Sequence, residues 1–451
     1  MSLFEALSIA GQSLLANRIA INTTNRNIAN VYTEGYSREE AVLADVPGSG
    51  VNVETIRRIF NKAYLTRYLS ENQNNKALSA YEDILEQVES VFNDVQGTGF
   101  SQALTDFFNA MEDIAVKPDD IAARQGFIAK AKTLVGRIRD SYSTLEEIKN
   151  TATLKVRDEA ANLNNLLQKL ATINRDLRIY SSSPEKLNQY LDERDRTLVE
   201  ISQLIDTKVY IKEDGTVDLY TAKGFALVLG EKSKKVEFST DTANNPVLKV
   251  SDIDITQEFS NGIIGGYLKG IDYINKTIDA LNTFTTEFAI QINNQHEAGF
   301  DLNGNTGISL FKADNGSSVI DASNIALNFE DPTMVAAALD VNNLNGDNTN
   351  IKALIALKDQ TFSNLDNLSF SEFYNTKIIT AIGSELEYTK DLRENSDFIL
   401  QSIDEKMKDL SSVNMDEELL NLTRYQRAYE AASKVVSVTD ELIQTILNMV
   451  G

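Results

Sequence analysis

The chain has 451 residues, with 43 Lys and Arg set against 66 Asp and Glu, a formal charge of −23, one histidine and no cysteine. That surplus of negative charge argues against a nucleic-acid backbone or an anionic membrane surface as partner. Missing thiols exclude disulfides, thiolate metal sites and cysteine nucleophiles, and the length predicts two or three domains.

At the N-terminus, Leu3, Leu7, Ala10, Leu14, Ile21 and Ile28 fall on a 4,3 alternation whose intervening members are Asn17 and Thr24. This is a heptad seam with polar interruptions, of the kind that lowers stability but fixes register. The same stretch superficially resembles a secretory leader. Its first charge is Glu5, however, no basic residue precedes Arg18, and Gln12 and Ser13 interrupt the apolar run, so it reads as mature helix. Asn22 to Arg38 is an Asn-rich helix end running into a turn, and G-T-G at Gly97–Gly99 reads as a helix breaker.

No glycine lies between Gly136 and Gly215, and the spacing predicts a long helix from Leu145 through Val156, Leu163 and Leu170 to Leu177. S-S-S-P at 181–184 breaks it. A second helix through Leu187, Leu191, Leu198, Ile201 and Leu204 is expected to start with Ser183 as cap, Pro184 in first position and Glu185 in the first turn. After Asp206, short runs such as K-V-Y-I-K and F-A-L-V-L alternate with turn signals and predict β structure. Helical period returns from Gly262 to Gly299, lapses in a loop-rich stretch to about Asn350, and resumes from about Phe373. It ends in a Gly-free stripe from Leu419 through Leu422, Tyr425, Tyr429, Val436, Leu442 and Ile446 to Met449.

The predicted fold is therefore mainly α with a β insertion, elongated and multi-domain. Terminal helices pair in a coiled-coil-like domain (residues 1–60 and 411–451), a long-helix bundle forms the body (61–205, 262–300 and 351–410), and an outer β-rich domain takes 206–261 and 301–350. Helices of roughly 30 to 45 residues would span on the order of 45 to 65 Å. No segment approaches the roughly 20 apolar residues that cross a bilayer, so membrane insertion is not expected.

Catalysis finds little support. One histidine, His296, is too few for a multi-histidine metal site, and it is read as a partly exposed cap at a helix end. Asp301, Asn303 and Asn305 begin like a calcium loop, but Thr306 and Lys312 stand where its glycine and glutamate belong, leaving an Asn-Gly turn. The adjacent Glu330 and Asp331 read as solvated surface. No catalytic, cofactor-binding or metal-ligating residue is assigned, and no enzyme activity is expected.

N-I-A-N-V-Y-T-E-G-Y-S-R, from Asn27 to Arg38, resembles the N-terminal signature of the bacterial flagellar axial proteins, the rod, hook and hook-associated set. S-G-V-N-V-E-T-I-R-R from Ser49, F-F-N-A-M-E-D-I-A-V-K-P from Phe107, L-D-E-R-D from Leu191, N-N-Q-H-E-A-G-F from Asn293 and the closing Y-Q-R-A-Y-E-A-A-S-K narrow the resemblance to the hook-associated members. Glu34 stands where a proline is common, and Asn61 where an aspartate often follows. The resemblance implies a structural adaptor at the hook–filament junction of the flagellum: a ring of identical subunits that meets hook protein on one side and a second junction protein and the flagellin filament on the other. It also implies extracellular placement, export without a cleaved signal peptide, and an export chaperone that binds the C-terminal helix.

Joined to the stripes, this makes Leu7, Leu14, Ile21, Ile28, Leu422, Tyr429, Leu442 and Ile446 the candidates for subunit association. Asn27, Asn30, Gly35, Tyr36 and Arg38 are the candidates for shaping the turn into the body. Both ends are expected to be mobile in a lone chain, because a pair with so polar a seam buries too little to offset its ordering entropy. The alternatives are another axial protein, either the second junction protein or a hook subunit, and a secreted adhesin or enzyme carried on the insertion. A cytosolic coiled-coil scaffold is a further one. The predicted hairpin of long helices argues against a hook subunit, whose middle is expected to be mostly β.

Overall fold

Helix α1 (Leu3–Ala29) starts on a capping box: the Ser2 hydroxyl accepts the Glu5 N–H and the Glu5 carboxylate accepts the Ser2 N–H, both at 3.1 Å. An antiparallel hairpin follows, β1 (Glu39–Val46) and β2 (Gly50–Arg58), bulged between Val42 and Leu43. The body then begins with α2 (Lys62–Val91), α3 (Phe100–Val116), α4 (Ile121–Ile179) and α5 (Pro184–Leu204). This computed structural model describes residues 2–33, 35–47, 50–92 and 99–450. Glu34, Gly97 and Thr98, singled out in the sequence, lie outside the described residues.

Two expectations are corrected here. Helix α4 does not start at Leu145; it runs unbroken for 59 residues, about 90 Å at 1.5 Å per residue, and exceeds the expected length range. Asp120 caps it by accepting the Ala122 N–H at 2.8 Å. Ser183 occupies the cap position of α5, but its side chain makes no capping bond, and the start of that helix rests on Pro184 at its first position. Asn61, a departure from the family pattern, does what an aspartate would do there, since its Oδ1 accepts the Ala63 N–H at 2.9 Å at the start of α2.

The β region comprises a four-stranded antiparallel sheet, β3 (Thr207–Ile211), β4 (Val217–Thr221), β5 (Ala226–Leu229) and β6 (Lys232–Ser233). A three-stranded one follows, β7 (Glu237–Thr240), β8 (Pro246–Val250) and β9 (Ile253–Asp254). Helix α6 (Gly262–Glu297) returns the chain to the body. Its glycines let it lie against α2: a Cβ on Gly266 would collide with the carbonyl oxygen of Ala77. Residues 301–350, expected to be β-rich, hold only β10 (Phe311–Ala313) and β11 (Ile325–Leu327) among turns and 3₁₀ segments. Next come α7 (Thr349–Ala356), α8 (Phe370–Phe373), a π-helical stretch Tyr374–Thr380, α9 (Ala381–Ser411) and α10 (Met415–Val450), which starts one turn earlier than the Leu419 read from the stripe.

A recurring device ties strands to helices. The Asn174 carboxamide accepts the Val217 N–H and donates to the Val217 carbonyl, both at 2.8 Å. Asn164 does the same with Val236, Asn293 with Phe311, and Asn27 with Glu39. Each amide thus imitates a neighbouring strand and satisfies backbone groups that burial would otherwise leave unpaired. One continuous apolar core runs from Leu65 to Ile382 and joins the helical body to both β regions, with Phe107, Phe127, Phe284, Phe288, Phe311 and Phe370 at its aromatic centre. Among the described residues, neither α1 nor the β1–β2 hairpin nor α10 contributes to it.

Candidate functional site

Helices α1 and α10 pair along their length, and the hairpin packs on another side of α1. The face that α1 hides is made of small and polar side chains, Ala10, Ala16, Ala20, Thr23, Thr24 and Asn27. It shares Ala10 and Thr24 with the seam read from the heptad but leaves out that seam's large side chains, because small side chains let neighbouring backbones come close. Leu7, Leu14, Ile21 and Ile28 are consequently only half-buried. Among the described residues of α10, only Glu418, Ala432 and Thr439 are buried. Leu422 is half-buried, while Tyr429, Leu442 and Ile446 are exposed, as are Phe4 and Leu15 on α1 and Leu420, Val435, Val438, Leu447 and Met449 on α10. A single chain therefore leaves much of the apolar surface of α10, and Phe4 and Leu15 of α1, wet, which is the signature of a surface awaiting a partner.

The turn residues converge on a polar node. Asn27 is buried, and all four of its hydrogen-bonding capacities are used. Besides its clasp on Glu39, its Oδ1 accepts the Tyr36 hydroxyl at 2.8 Å and its Nδ2 donates to Glu418 Oε2 at 3.1 Å. Burial pushes the Tyr36 phenol well above its ordinary range, which keeps it a donor. Arg38 donates through Nε to Glu418 Oε1 at 3.0 Å and through its backbone N–H to the Ser411 carbonyl at 2.9 Å. Asn30 closes the end of α1 by donating from Nδ2 to the Arg26 carbonyl at 2.9 Å. Gly35 adopts a φ of +71° with the Arg196 side chain pressed against it, so a Cβ there would be strained and would clash.

The node is also the attachment to the body. Arg58 lies 2.8 Å from Asp192 and 2.9 Å from Asp195 on α5, and Asn188 of α5 donates to the Ile56 carbonyl at 3.0 Å. Burial pushes the Asp192 carboxyl up, against the pull of Arg58 and of Ser37. Arg26 bridges Glu39 and Glu185. The L-D-E-R-D segment, conspicuous in the sequence but given no role by spacing, is thus the body's half of the joint. Glu39, Arg58, Asp192, Asp195 and Glu418 were all missed as site residues, because their partners lie 12 to 391 positions away.

The other candidates are structural. His296 is fully buried rather than a partly exposed cap: its Nδ1 lies 2.6 Å from the Ile308 carbonyl and its Nε2 accepts the Ala336 N–H at 3.0 Å, and burial lowers its pKa to about 4. Asp301 holds its own turn by accepting the Asn303 and Asn305 N–H groups, both at 2.8 Å. Among the described residues there is no group of three or more His, Cys, Asp or Glu able to hold a metal ion, and no helix is long and apolar enough to cross a membrane.

The family model for the helical domain of the flagellar hook-associated protein FlgK matches residues 85–311, and the one for the C-terminal part of the flagellar basal body rod proteins FlgEFG matches 409–449. The flagellar hook-associated protein 1 of Bacillus subtilis (strain 168) is 23% identical over 502 residues, which takes in 100% of this chain and 99% of that protein. Its Salmonella typhimurium counterpart is 23% identical over 554 residues, covering 98% and 99%. Both alignments are longer than this chain, so the relatives carry residues that are absent here. Among solved structures, the flagellar hook junction protein FlgK from Burkholderia pseudomallei shares the fold with a TM-score of 0.67 at 14% identity, over 76% of this chain and 99% of that one.

Proposed function

This chain belongs to the FlgK family of flagellar hook-associated proteins, and we propose that it is the structural adaptor of the hook–filament junction, self-assembling through α1 and α10. Its place is in the flagellum, among other flagellar components, and its relatives are structural proteins. The supporting observation is the contrast between a sealed body core and terminal helices that leave Leu442, Ile446 and their neighbours exposed. Hydrophobic burial contributes about 1.5–3 kcal/mol for each Leu or Ile taken fully out of water, and several such side chains per neighbour must act together to offset the cost of association.

In this reading residues 1–60 and 411–451 form the assembling unit. Leu7, Leu14, Ile21, Ile28, Leu422, Tyr429, Leu442 and Ile446 meet identical neighbours, and Asn27, Asn30, Gly35, Tyr36 and Arg38 hold the unit to its support. Hook protein lies on one side, with a second junction protein and the flagellin filament on the other. Before assembly the same exposed face of α10 is the surface for an export chaperone, and the chain leaves the cell without a cleaved signal peptide. The test is the double variant Leu442→Asp with Ile446→Asp. It is expected to fold as a monomer but to fail to restore motility in cells lacking the native gene, and immunogold labelling should put the native chain in a band at the hook–filament boundary. Uniform labelling of the filament, or full motility of the variant, would sink the reading.

A further inference from the structure

Helix α10 carries apolar side chains around much of its circumference. Leu422, Tyr425, Ala432 and Val436 lie on its more covered side, and Leu420, Val435, Val438 and Leu447 on its exposed side. The surface that α1 hides consists largely of alanine and threonine, which offer little relief. Apolar contact is non-directional, so it does not by itself select one rotation of α10 over another. A buried polar pairing does, because a wrong phase strands its members without partners.

We infer that Glu418 is a positioning residue that sets the rotational phase of α10 on α1. It is the one buried charged residue of α10 among the described residues, and its two carboxylate oxygens are divided between two donors, Asn27 Nδ2 and Arg38 Nε. Asn27 is itself held by Glu39 and Tyr36, which fixes its Nδ2 independently of Glu418, and the Arg38 main chain is anchored by its N–H on the Ser411 carbonyl just ahead of α10. Glu417, next to it, is more than half exposed and reaches Arg38 at only 3.5 Å. The phase decides which apolar stripe α10 leaves for a neighbouring chain, and this consequence, unlike the geometry, rests on the assembly reading above.

The absence of native cysteine makes a thiol-accessibility test clean. A single cysteine is introduced as Ala432→Cys on the covered side or as Val435→Cys on the exposed side, and alkylation rates are measured on the isolated full chain. With Glu418 intact the exposed position should react about tenfold faster than the covered one or more, since the covered thiol reacts only through local opening. In Glu418→Ala the ratio should fall to about twofold or less as the helix samples other phases. Glu418→Gln, left with one acceptor oxygen for two donors, should lie between, and Glu417→Ala should keep the full ratio. An unchanged ratio in Glu418→Ala with its helical circular dichroism intact overturns the inference. If that variant loses helix signal, an unchanged ratio in Glu418→Gln overturns it instead. A collapsed ratio in a variant that still completes the junction in cells keeps the phase assignment and removes only its consequence for assembly.

Discussion

In α4 the side chains of Leu134, Ile138, Leu145, Val156, Leu163, Leu167 and Leu170 have no accessible surface, whereas α10, whose apolar spacing is about as regular, buries only Glu418, Ala432 and Thr439 among its described residues. The two differ in what surrounds them. Helix α4 is covered by α3, α5, α6 and both β regions of its own chain, while α10 has α1 on one side and little on the others. Periodicity therefore says that a helix has a sticky face. It does not say whether the cover comes from the same molecule. The body draws its stability from within, and the terminal pair depends on what it later meets.

The sharpest way to break this contrast is to truncate a side chain in each region and compare the loss. Phe288→Ala, at the centre of the aromatic cluster, should lower the unfolding free energy by about 3–5 kcal/mol in a urea titration of the isolated chain. A loss near zero would mean that the body core is not what holds the molecule. Acid probes the same core without a mutation. The folded-state pKa of His296 is depressed to about 4 by burial, so between the unfolded value of about 6.5 and that point the unfolded chain binds a proton that the native one refuses. Stability is thus full above pH of about 6.5 and falls as pH drops through the window, by at most about 3 kcal/mol. Thermal melts across that range should show the fall, and His296→Gln should flatten it. The smallest effect is expected at Leu442→Ala, within about 0.5 kcal/mol in the lone chain. A large loss there, in the same urea titration, would show that α10 is covered by its own molecule after all.

Much of this was legible in the residues, for reasons that also explain the gaps. The absence of glycine marked the helices at 145–204, with Pro184 at the break between them, and the absence of both glycine and proline marked the C-terminal helix, because those two residues cost most in a helix interior. The same rule set the start of α4 too late, since Gly126 and Gly136 sit in it at open positions where packing on either side carries the helix through. The motif at 27–38 gave Asn27, Asn30, Gly35, Tyr36 and Arg38, but not the partners that make it a joint. Asp192, Asp195 and Glu418 reach it across the fold, and nothing in local spacing pairs residues so far apart. His296 was misread for a related reason: its partners are the main-chain atoms of Ile308 and Ala336, which leave no mark in the side-chain pattern.

The asparagine clasps bear on how long such a molecule lasts. An asparagine ages when the backbone nitrogen of the next residue attacks its carboxamide, closing a succinimide ring and releasing ammonia, and glycine in the following position speeds this most. Asn27, Asn164, Asn174 and Asn293 lie within helices, with both amide atoms already engaged, and are followed by Ile28, Asn165, Arg175 and Asn294. Of the four Asn-Gly pairs, 303–304, 315–316 and 345–346 stand instead in turns, and 261–262 stands where the chain enters α6. Chemical wear should therefore appear first in the turns, where a new carboxylate is readily solvated, and reach last the amides that fasten strands to helices.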